Sequence, residues 1–378
     1  MKIGIDARQI HHRGVGRYIK ELIRHLGLID QENDYFIYFS SKKDLEEYGT
    51  NIGSFTSIYI PTPALQLHRQ PLLINRLRKD RLNVFHVTDH WFVPLFSFCP
   101  VITTVHDLMV KTYPDALSFM TRIYSLIMTS WAFKKSSNIL TVSEFNKKEC
   151  LKYYPGSKQK TSVIYHGINK DDFFPLQEDG RIKVVKNKYG LETDYFLFVG
   201  SLLEYKNLSI LMKAFAQLPL SLRFKYHLVI AAKIDSRYDH TYSQTQNLGI
   251  KDQVHFLNFV STADLVALYN AAIAFVTTSL YESFCFPMLE AMACGTPVIA
   301  SDTMAFSEIA GNAALLVDPS DAVPLRESMV QIIEDQNLRK SLSQKGIQRA
   351  QAFSWTVTAQ KTRKIYEKYK CFCHHPSL

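Results

Sequence analysis

The sequence predicts an α/β protein built from two doubly wound domains. Short apolar segments alternate with amphipathic segments along both halves of the 378-residue chain. Such alternation is typical of parallel sheets that are covered by helices on both faces. Two series of this kind in one chain predict two domains, each presenting ligand-binding residues at the carboxyl ends of its strands.

The strands are predicted from apolar runs, and the helices from apolar residues that recur on one face. In the first half the predicted strands are Lys2–Asp6, Tyr35–Phe39, Val84–Val87, Val101–Val105 and Ile139–Val142. In the second half they are Tyr195–Val199, His227–Ile230, Gln253–Leu257, Ile273–Val276 and Pro297–Ala300. The predicted helices include the one after the first strand and the segments Leu208–Gln217, Ala263–Asn270 and Thr356–Tyr369. A polar, proline-containing stretch, Asn169–Gly180, is the predicted linker.

Composition narrows the class of protein. A hydrophobic content of 47% and a charged content of 21% are those of an ordinary globular protein. No apolar run approaches the ~20 residues that span a bilayer, and the first residues do not resemble a signal peptide. Six scattered cysteines form no disulfide framework and indicate reduced thiols in the cytoplasm. The terminal Cys371–His375 segment resembles a metal-binding tract, but a frayed terminus is the simpler interpretation.

The positive charge lies in the first half. Residues 1–170 hold 23 Lys+Arg and 14 Asp+Glu, a balance of +9, whereas the other residues hold 21 of each and balance to zero. A basic surface can serve nucleic acid, anionic lipid or a phosphorylated acceptor, or it can only aid solubility. No nucleic-acid-binding motif accompanies it, so we expect no nucleic-acid partner. Peripheral contact with an anionic membrane is the prediction that we retain.

The most informative segment joins a predicted strand to a predicted helix. Pro287 suits the first helical position, and Phe286 before it cannot cap the helix with its side chain. Free amides at a helix start attract anions such as phosphate. Glu282 in the loop and Glu290 in the first turn would then accept hydrogen bonds from sugar or ribose hydroxyls. Alternatively, Glu282 is a solvated loop charge and Glu290 a favourable charge at the helix start.

In two other segments, glycines and basic residues follow the end of a predicted strand. Gly200 and Ser201 end the first strand of the second half, and Lys206-Asn207 follows, within reach of a phosphate. By itself this pattern is more often that of a tight turn with a surface lysine. Gly14 and Gly16 lie in the connection after the first strand, but the third glycine of a dinucleotide-binding motif is missing, which argues against an oxidoreductase.

His106 directly follows the predicted strand Val101–Val105, at the edge where doubly wound sheets present ligands. A single histidine is more often a structural hydrogen-bonding group than a catalyst. No Asp-x-Asp triplet occurs anywhere, so a metal–diphosphate clamp of that kind is absent. We therefore expect no metal and no other cofactor.

Taken together, these segments resemble the retaining glycosyltransferases of family 4, also called glycosyl transferases group 1. The match includes Glu282, Phe284, Pro287, Leu289 to Gly295, Pro297 and Val298, with the Gly…Lys-Asn, Gly-Val-Gly-Arg and Val-His-Asp-Leu segments. Relatives often have glycine in place of Ser283 and Cys285, and an arginine near the positions of Ser201 and Tyr205. The resemblance implies a GT-B fold, with two Rossmann-like domains that face each other across a cleft.

The resemblance also implies which part of the chain does what. Residues 1–170 form an acceptor-side domain, on which the final segment 356–378 packs, and residues 171–355 hold a GDP- or UDP-linked sugar. The implied catalytic residues are Glu282, His106 and Lys206, with Lys206 on the leaving diphosphate. The implied nucleotide-sugar-binding residues are Gly14, Gly16, Gly200, Ser201, Lys206, Asn207, Glu282, Ser283, Phe284, Cys285, Phe286, Leu289 and Glu290.

The predicted function is a metal-independent, retaining hexosyl transfer of the mannose or glucose type in surface polysaccharide biosynthesis, such as that of lipopolysaccharide. The acceptor would be a glycan or a lipid-linked saccharide. The predicted location is the cytoplasm, with peripheral attachment at the inner face of the membrane. Two alternatives stay open: a GT-B epimerase acting on a UDP-sugar, and a non-catalytic protein that binds the membrane surface.

Overall fold

The computed structural model describes residues 1–49, 54–62, 70–176 and 180–372, except for the side chains of Arg13 and Ala116. The chain forms two compact units. The first comprises Met1–Gly167 together with the C-terminal segment that begins at Ser354, and the second comprises Ile168–Phe353. The chain therefore passes between the units near residues 167 and 353, close to the predicted boundaries at 170 and 355.

The first unit contains a seven-stranded sheet in the order β3-β2-β1-β4-β5-β6-β7. Every pair in it is parallel. Its strands are β1 (Lys2–Asp6), β2 (Asp34–Phe39), β3 (Phe55–Tyr59), β4 (Val84–Val87), β5 (Val101–Val105), β6 (Asn138–Thr141) and β7 (Thr161–Val163). The five strands predicted from sequence are confirmed, and β3 and β7 were not predicted. Both lie at the edges of the sheet, where a strand does not need a continuous apolar run.

The second unit contains a six-stranded parallel sheet in the order β10-β9-β8-β11-β12-β13. Its strands are β8 (Asp194–Gly200), β9 (Tyr226–Ala232), β10 (Val254–Leu257), β11 (Ala274–Thr277), β12 (Val298–Ser301) and β13 (Leu315–Val317). All but the edge strand β13 were predicted. In both sheets the strand order reverses beside the first strand, which is the position where doubly wound sheets bind ligands.

Helices alternate with these strands. They are α1 (Arg13–Ile29), α2 (Lys42–Tyr48), α3 (Gln70–Asp80), α4 (Met109–Thr112), α5 (Phe119–Lys135), α6 (Glu144–Tyr153), α7 (Arg181–Lys188), α8 (Leu208–Ala216), α9 (Leu220–Arg223), α10 (Tyr238–Asn247), α11 (Thr262–Ala271), α12 (Phe286–Ala293), α13 (Met304–Ala310), α14 (Ala322–Glu334), α15 (Gln336–Gln351) and α16 (Trp355–Glu367). Among the described residues, no helix combines the length and the apolar character that crossing a membrane requires.

The final helix belongs to the first unit, where α16 packs against α1. Gly167 permits this arrangement, because a Cβ atom added there would lie 2.1 Å from the backbone nitrogen of Trp355. The Trp355 side chain is buried at the start of the helix. The Cys373, His374 and His375 part of the predicted tail lies outside the described residues.

The predicted linker is anchored to the second unit over residues 173–176, although Lys170, Asp171, Asp172 and Pro175 are exposed. Phe173 is buried, and the Leu176 amide donates to Asn270 Oδ1 at 2.7 Å. Asn270 Nδ2 in turn donates to the Phe174 carbonyl at 3.1 Å. These bonds tie the segment to α11, so it is an ordered part of the second unit. Residues 177–179 of the predicted linker lie outside the described residues.

Candidate functional site

Lys206 and Glu282, predicted from separate motifs, meet in the second unit. β8 and β11 are neighbours in the sheet, with Leu197 opposite Phe275, so the loops that leave their carboxyl ends run side by side. The Lys206 ammonium forms an ion pair and hydrogen bond with Glu282 Oε1. Both side chains are shielded, with 15% and 18% of their surface exposed. The strand order thus assembles a partly buried charge pair from residues that are distant in sequence.

The surroundings of Lys206 keep it charged. Burial by itself lowers the pKa of Lys206, but the Glu282 carboxylate and, after it, Tyr205 outweigh that effect and raise the pKa above its ordinary value. The Tyr205 ring centroid lies 5.1 Å from the ammonium, a cation–π distance. Tyr205 occupies a position where relatives often carry arginine, and here it supports the cation instead of adding one.

Asn207 holds the turn that presents Lys206. Its backbone is left-handed, with φ 55° and ψ 38°, which asparagine tolerates better than most residues. Its side-chain amide donates to the Pro319 carbonyl at 2.7 Å. The Thr278 hydroxyl donates to the carbonyls of Lys206 at 3.1 Å and Asn207 at 3.0 Å. Asn207, predicted to bind the nucleotide sugar, therefore uses its side chain to fix the loop, and Thr278 is a supporting residue that the sequence did not reveal.

The helix after Glu282 begins one residue earlier than predicted. α12 starts at Phe286, so Pro287 is its second residue and Cys285 precedes the helix. Glu290, the fifth helical residue, lies in the second turn and not in the first as predicted. No side chain makes a capping hydrogen bond at this helix start, although the Met288 amide faces the Cys285 sulfur. The backbone amides at the start of α12 remain the groups suited to binding an anion.

Glu290 is held by a residue from a neighbouring helix. Its carboxylate is buried and accepts a hydrogen bond from the Tyr269 hydroxyl on α11 at 2.9 Å. Burial, together with the Glu290 carboxylate, raises the pKa of Tyr269 well above its ordinary value, so the phenol stays a donor. The Thr296 hydroxyl bonds the Tyr269 carbonyl at 2.7 Å and fixes that helix in turn. Tyr269 carries no sequence motif, and only the packing of α11 beside α12 indicates its role.

The loop between the glutamates is tightly packed. Phe284 is buried and contacts Phe286 and Phe353 edge-on, with ring centroids 5.3 Å and 5.8 Å away. The Ser283 hydroxyl, also buried, donates to the Tyr281 hydroxyl at 3.5 Å. Leu289 is fully buried in the core. Among these predicted ligand-binding residues, Phe284 and Leu289 have their side chains engaged in packing, so their backbone amides are the groups suited to a ligand.

Cys285 occupies a position that suits glycine. Its φ of 59° is left-handed, which costs a residue with a Cβ atom roughly 1–2 kcal/mol. Its thiol is buried, and burial raises the pKa of Cys285, so the group is a neutral thiol and not a nucleophile. This residue is one of the two at which relatives often have glycine.

We expect Cys285→Gly to be more stable than Cys285→Ala by about 1 kcal/mol, because both variants lose the thiol but only alanine keeps the Cβ strain. Denaturant unfolding of the two variants measures the difference. The usual order in a helix is the reverse, with glycine about 1 kcal/mol worse than alanine. A Cys285→Ala variant as stable as Cys285→Gly would therefore show that residue 285 is unstrained.

Gly200 and Ser201 lie at the end of β8, where they were predicted, and both are half-buried. A Cβ atom added at Gly200 would come within 3.0 Å of the Phe198 ring. The glycine therefore lets the strand end lie against that ring, which is a packing reason for glycine at this position.

In the first unit, His106 follows β5 at the carboxyl edge of the sheet. Its Nε2 lies 2.8 Å from the Thr88 carbonyl, which follows the neighbouring strand β4. A carbonyl only accepts, so Nε2 carries the proton and Nδ1 is an acceptor. Burial is the main effect on His106 and lowers its pKa to about 4, so the ring is neutral near pH 7. A neutral imidazole in this orientation can accept a hydrogen bond from a hydroxyl group.

A buried aromatic cluster that the sequence did not reveal surrounds His106. Tyr18 of α1 contacts the rings of His106 and His166 at centroid distances of 5.1 Å and 4.9 Å. Nearby, His86 Nε2 lies 2.8 Å from the Thr104 hydroxyl, which is also bonded to Tyr18 at 3.0 Å. Helix α1 is thereby fixed to the loop that carries His106.

Gly14 and Gly16 lie in the first turn of α1, because the helix starts at Arg13. The prediction that they form a loop before the helix is therefore wrong. The two glycines differ sharply: a Cβ atom added at Gly16 would lie 2.1 Å from the Ile10 carbonyl oxygen, whereas at Gly14 nothing lies within 4 Å. Gly16 is required by local packing, and Gly14 is exposed with open space beside it.

Across the described parts of the chain, no group of three or more His, Cys, Asp or Glu side chains is arranged to hold a metal ion. The positive charge that the second unit offers beside α12 comes from Lys206 and the amides at the helix start.

Two protein-family models match the two halves of the chain. The model for glycosyl transferases group 1 matches residues 182–349, and the model for glycosyltransferase family 4 matches residues 12–172. O-antigen chain mannosyltransferase B of Escherichia coli is 28% identical over 94% of this chain and 96% of its own. O-antigen chain mannosyltransferase RfbU of Salmonella typhimurium is 35% identical over 62% of this chain and 60% of its own.

A solved structure, that of HepE from Anabaena in complex with UDP-glucose, is 18% identical and superimposes with a TM-score of 0.77. The superposition covers 97% of this chain and all of HepE. Together with the two parallel sheets, this likeness shows the GT-B fold. The two family models between them match most of the chain, and the chain belongs to glycosyltransferase family 4.

Proposed function

We propose that this glycosyltransferase moves a hexose of the mannose or glucose type from a GDP- or UDP-linked sugar to a glycan or lipid-linked saccharide, with retention at the anomeric carbon. The Lys206–Glu282 ion pair beside the start of α12 is the observation that carries the proposal. The O-antigen mannosyltransferases among the relatives support a role in surface polysaccharide biosynthesis.

In this proposal Lys206 binds the diphosphate and stabilises the charge that develops as it leaves. Amides from Phe284 to Leu289 complete the phosphate and sugar contacts. Glu290, oriented by Tyr269, accepts from the ribose hydroxyls. Since a permanent cation and helix-start amides neutralise the leaving group, we propose that transfer is independent of metal ions.

Glu282 has two tasks in this proposal. It fixes the Lys206 ammonium, and its remaining acceptor capacity orients a sugar hydroxyl. A carboxylate engaged in this way is a poor nucleophile, so we infer front-face attack by the acceptor, assisted by the leaving phosphate, rather than a double displacement. A covalent glycosyl-enzyme trapped on Glu282 would contradict this inference.

We assign the acceptor to the first unit. His106, as a neutral acceptor at Nδ1, is the residue there that we expect to contact the reacting sugar. The excess of positive charge in residues 1–170 supports peripheral attachment to the anionic inner face of the cytoplasmic membrane.

The nucleotide requirement is tested by thermal unfolding with UDP, GDP and their sugars, each with and without EDTA. A ligand that binds only the folded state adds about 2.7 kcal/mol of stability at 100 times its Kd. We expect one nucleotide family to raise Tm clearly, and EDTA to leave that rise unchanged. A complete lack of protection by the panel would contradict the nucleotide-sugar proposal, and a rise abolished by EDTA would contradict metal independence.

Turnover distinguishes the alternative functions. A transferase releases nucleoside diphosphate rapidly only with an acceptor present, whereas a UDP-sugar epimerase turns over without one. A non-catalytic membrane-binding protein releases none under either condition.

A further inference from the structure

Helix α5 of the first unit presents an apolar face to solvent. Phe119, Met120 and Ile127 are 74%, 73% and 62% exposed, and Ile123 between them is 40% exposed. Residues 119, 123 and 127 repeat every four positions and so share one side of the helix. A soluble protein rarely exposes a contiguous apolar stripe of this kind without a partner.

The loop before β5 extends this face. Leu95 and Phe96 are about half exposed, and the loop is tied to the helix because the Trp131 indole donates to the Pro94 carbonyl at 3.2 Å. A cavity of about 500 Å³ lies between loop and helix, lined by Leu95, Leu126, Ile127, Met128, Ser130, Trp131 and Lys134. We call the exposed side chains of residues 95, 96, 119, 120, 123 and 127 the α5 apolar surface.

Basic residues flank this surface. Arg122 lies near the start of α5, and Lys134 and Lys135 form its last turn, roughly 18 Å away along the axis. The helix contains no acidic residue. Asp115, which is exposed, pairs with Arg122 of this helix at 3.6 Å. The Lys135 ammonium lies 4.8 Å from the Trp131 ring, an arrangement suited to a membrane interface.

We propose that the α5 apolar surface inserts into the interface of an anionic lipid bilayer, with Arg122, Lys134 and Lys135 against the headgroups. Apolar side chains between cationic ends match the acyl and headgroup layers of such a membrane. This deepens the peripheral attachment in the proposed function and rests on it. The attachment thereby acquires an apolar component that does not depend on salt, which net charge alone would not provide.

The test is co-sedimentation with vesicles of phosphatidylcholine containing phosphatidylserine, compared with pure phosphatidylcholine. We expect Phe119→Ser and Ile127→Ser each to weaken partitioning roughly tenfold, since each removes a large apolar side chain from the inserted face. The matched control is Phe224→Ser in the second unit, 65% exposed in the wild-type protein, which should bind as the wild type does. Lys134→Gln should weaken binding about fivefold on anionic vesicles only.

Several outcomes would overturn the inference. The first is a double variant, Phe119→Ser with Ile127→Ser, that still partitions to vesicles as the wild type does. The second is a loss of vesicle binding in Phe224→Ser as large as in the α5 variants. The third is complete release of the wild type from vesicles by 0.5 M salt. A concentration-dependent dimer in solution that the double variant abolishes would assign the surface to a second copy instead. If a variant fails to fold, the wild type is mixed instead with vesicles whose lipids are brominated in the acyl chain. Insertion is expected to quench the tryptophan fluorescence of the protein. The absence of quenching would contradict insertion.

The same variants separate this inference from the proposed function. Nucleotide protection in the thermal assay and turnover on a water-soluble acceptor should be unchanged in Phe119→Ser and Ile127→Ser. Intact protection with no vesicle binding by the wild type would reject the α5 apolar surface together with peripheral attachment, and would leave the proposed sugar transfer standing. Vesicle binding without nucleotide protection would reject the proposed function alone.

Discussion

Lys206→Gln is expected to lower kcat by roughly 100- to 1,000-fold, because it removes the cation proposed to stabilise the departing diphosphate. Losing a single preorganised group of this kind typically costs about 2.7–4 kcal/mol of transition-state stabilisation. The substitution also leaves the largely buried Glu282 carboxylate without its cation, so the free energy of unfolding should fall by about 1–3 kcal/mol. Steady-state kinetics and denaturant unfolding measure the two effects.

The chain supplies a matched control in the same unit. Lys188 pairs with Asp264 at 2.6 Å, but 55% of the Lys188 side chain is exposed. Lys188→Gln removes a lysine–carboxylate pair as well, yet it should leave kcat unchanged and cost little stability, since exposed ion pairs contribute little. Near-normal turnover in Lys206→Gln, or an equal loss in Lys188→Gln, would show that Lys206 does not act on the leaving group.

Gly16→Ala is expected to destabilise the first unit by about 3 kcal/mol. The added Cβ atom would lie 2.1 Å from the Ile10 carbonyl oxygen and 2.7 Å from its carbon, and both are backbone atoms that cannot rotate away. The start of α1 must therefore shift, a strain at the upper end of that seen for overpacked sites. The free energy of unfolding from denaturant titration gives the cost.

Gly14→Ala is the matched comparison, two residues away in the same helical turn. Nothing lies within 4 Å of its added Cβ atom, and alanine favours a helix, so stability should be unchanged or up to about 1 kcal/mol higher. Because Gly14 is a predicted nucleotide-sugar-binding residue, this stable variant should still bind the nucleotide sugar more weakly. Full affinity in Gly14→Ala would remove Gly14 from the site, and a stable Gly16→Ala would contradict the packing argument.

The sequence was most informative about the centres of the two sheets. Strands β1, β4 and β5 were predicted with their observed bounds, because short segments rich in apolar residues mark the buried centre of a parallel sheet. The edge strands β3, β7 and β13 were missed. Thr161–Val163, for example, is only three residues long and is defined by its pairing with β6, and no local pattern encodes that pairing.

Local sequence patterns were likewise insufficient to predict the conformation at the starts of helices. The position of Pro287 predicted the start of α12 to within one residue, but the left-handed conformation of Cys285 was not predictable. Cysteine gives no local signal for that conformation, and the packed loop between β11 and α12 imposes it. In α1 a local pattern was present but misleading, since the Gly-x-Gly pattern suggested a loop and both glycines lie in the helix.

The sequence alone determined the order of strands and helices, the two-domain organisation, and the candidate residues Lys206, Glu282, Glu290 and His106. These depend on periodicity and on short motifs, which are local. Only the tertiary structure decided which candidates lie together. Lys206 meets Glu282 because β8 and β11 are sheet neighbours, and Tyr269 meets Glu290 because α11 packs beside α12. Such contacts join residues far apart in the chain, so their chemistry is set by strand order and packing.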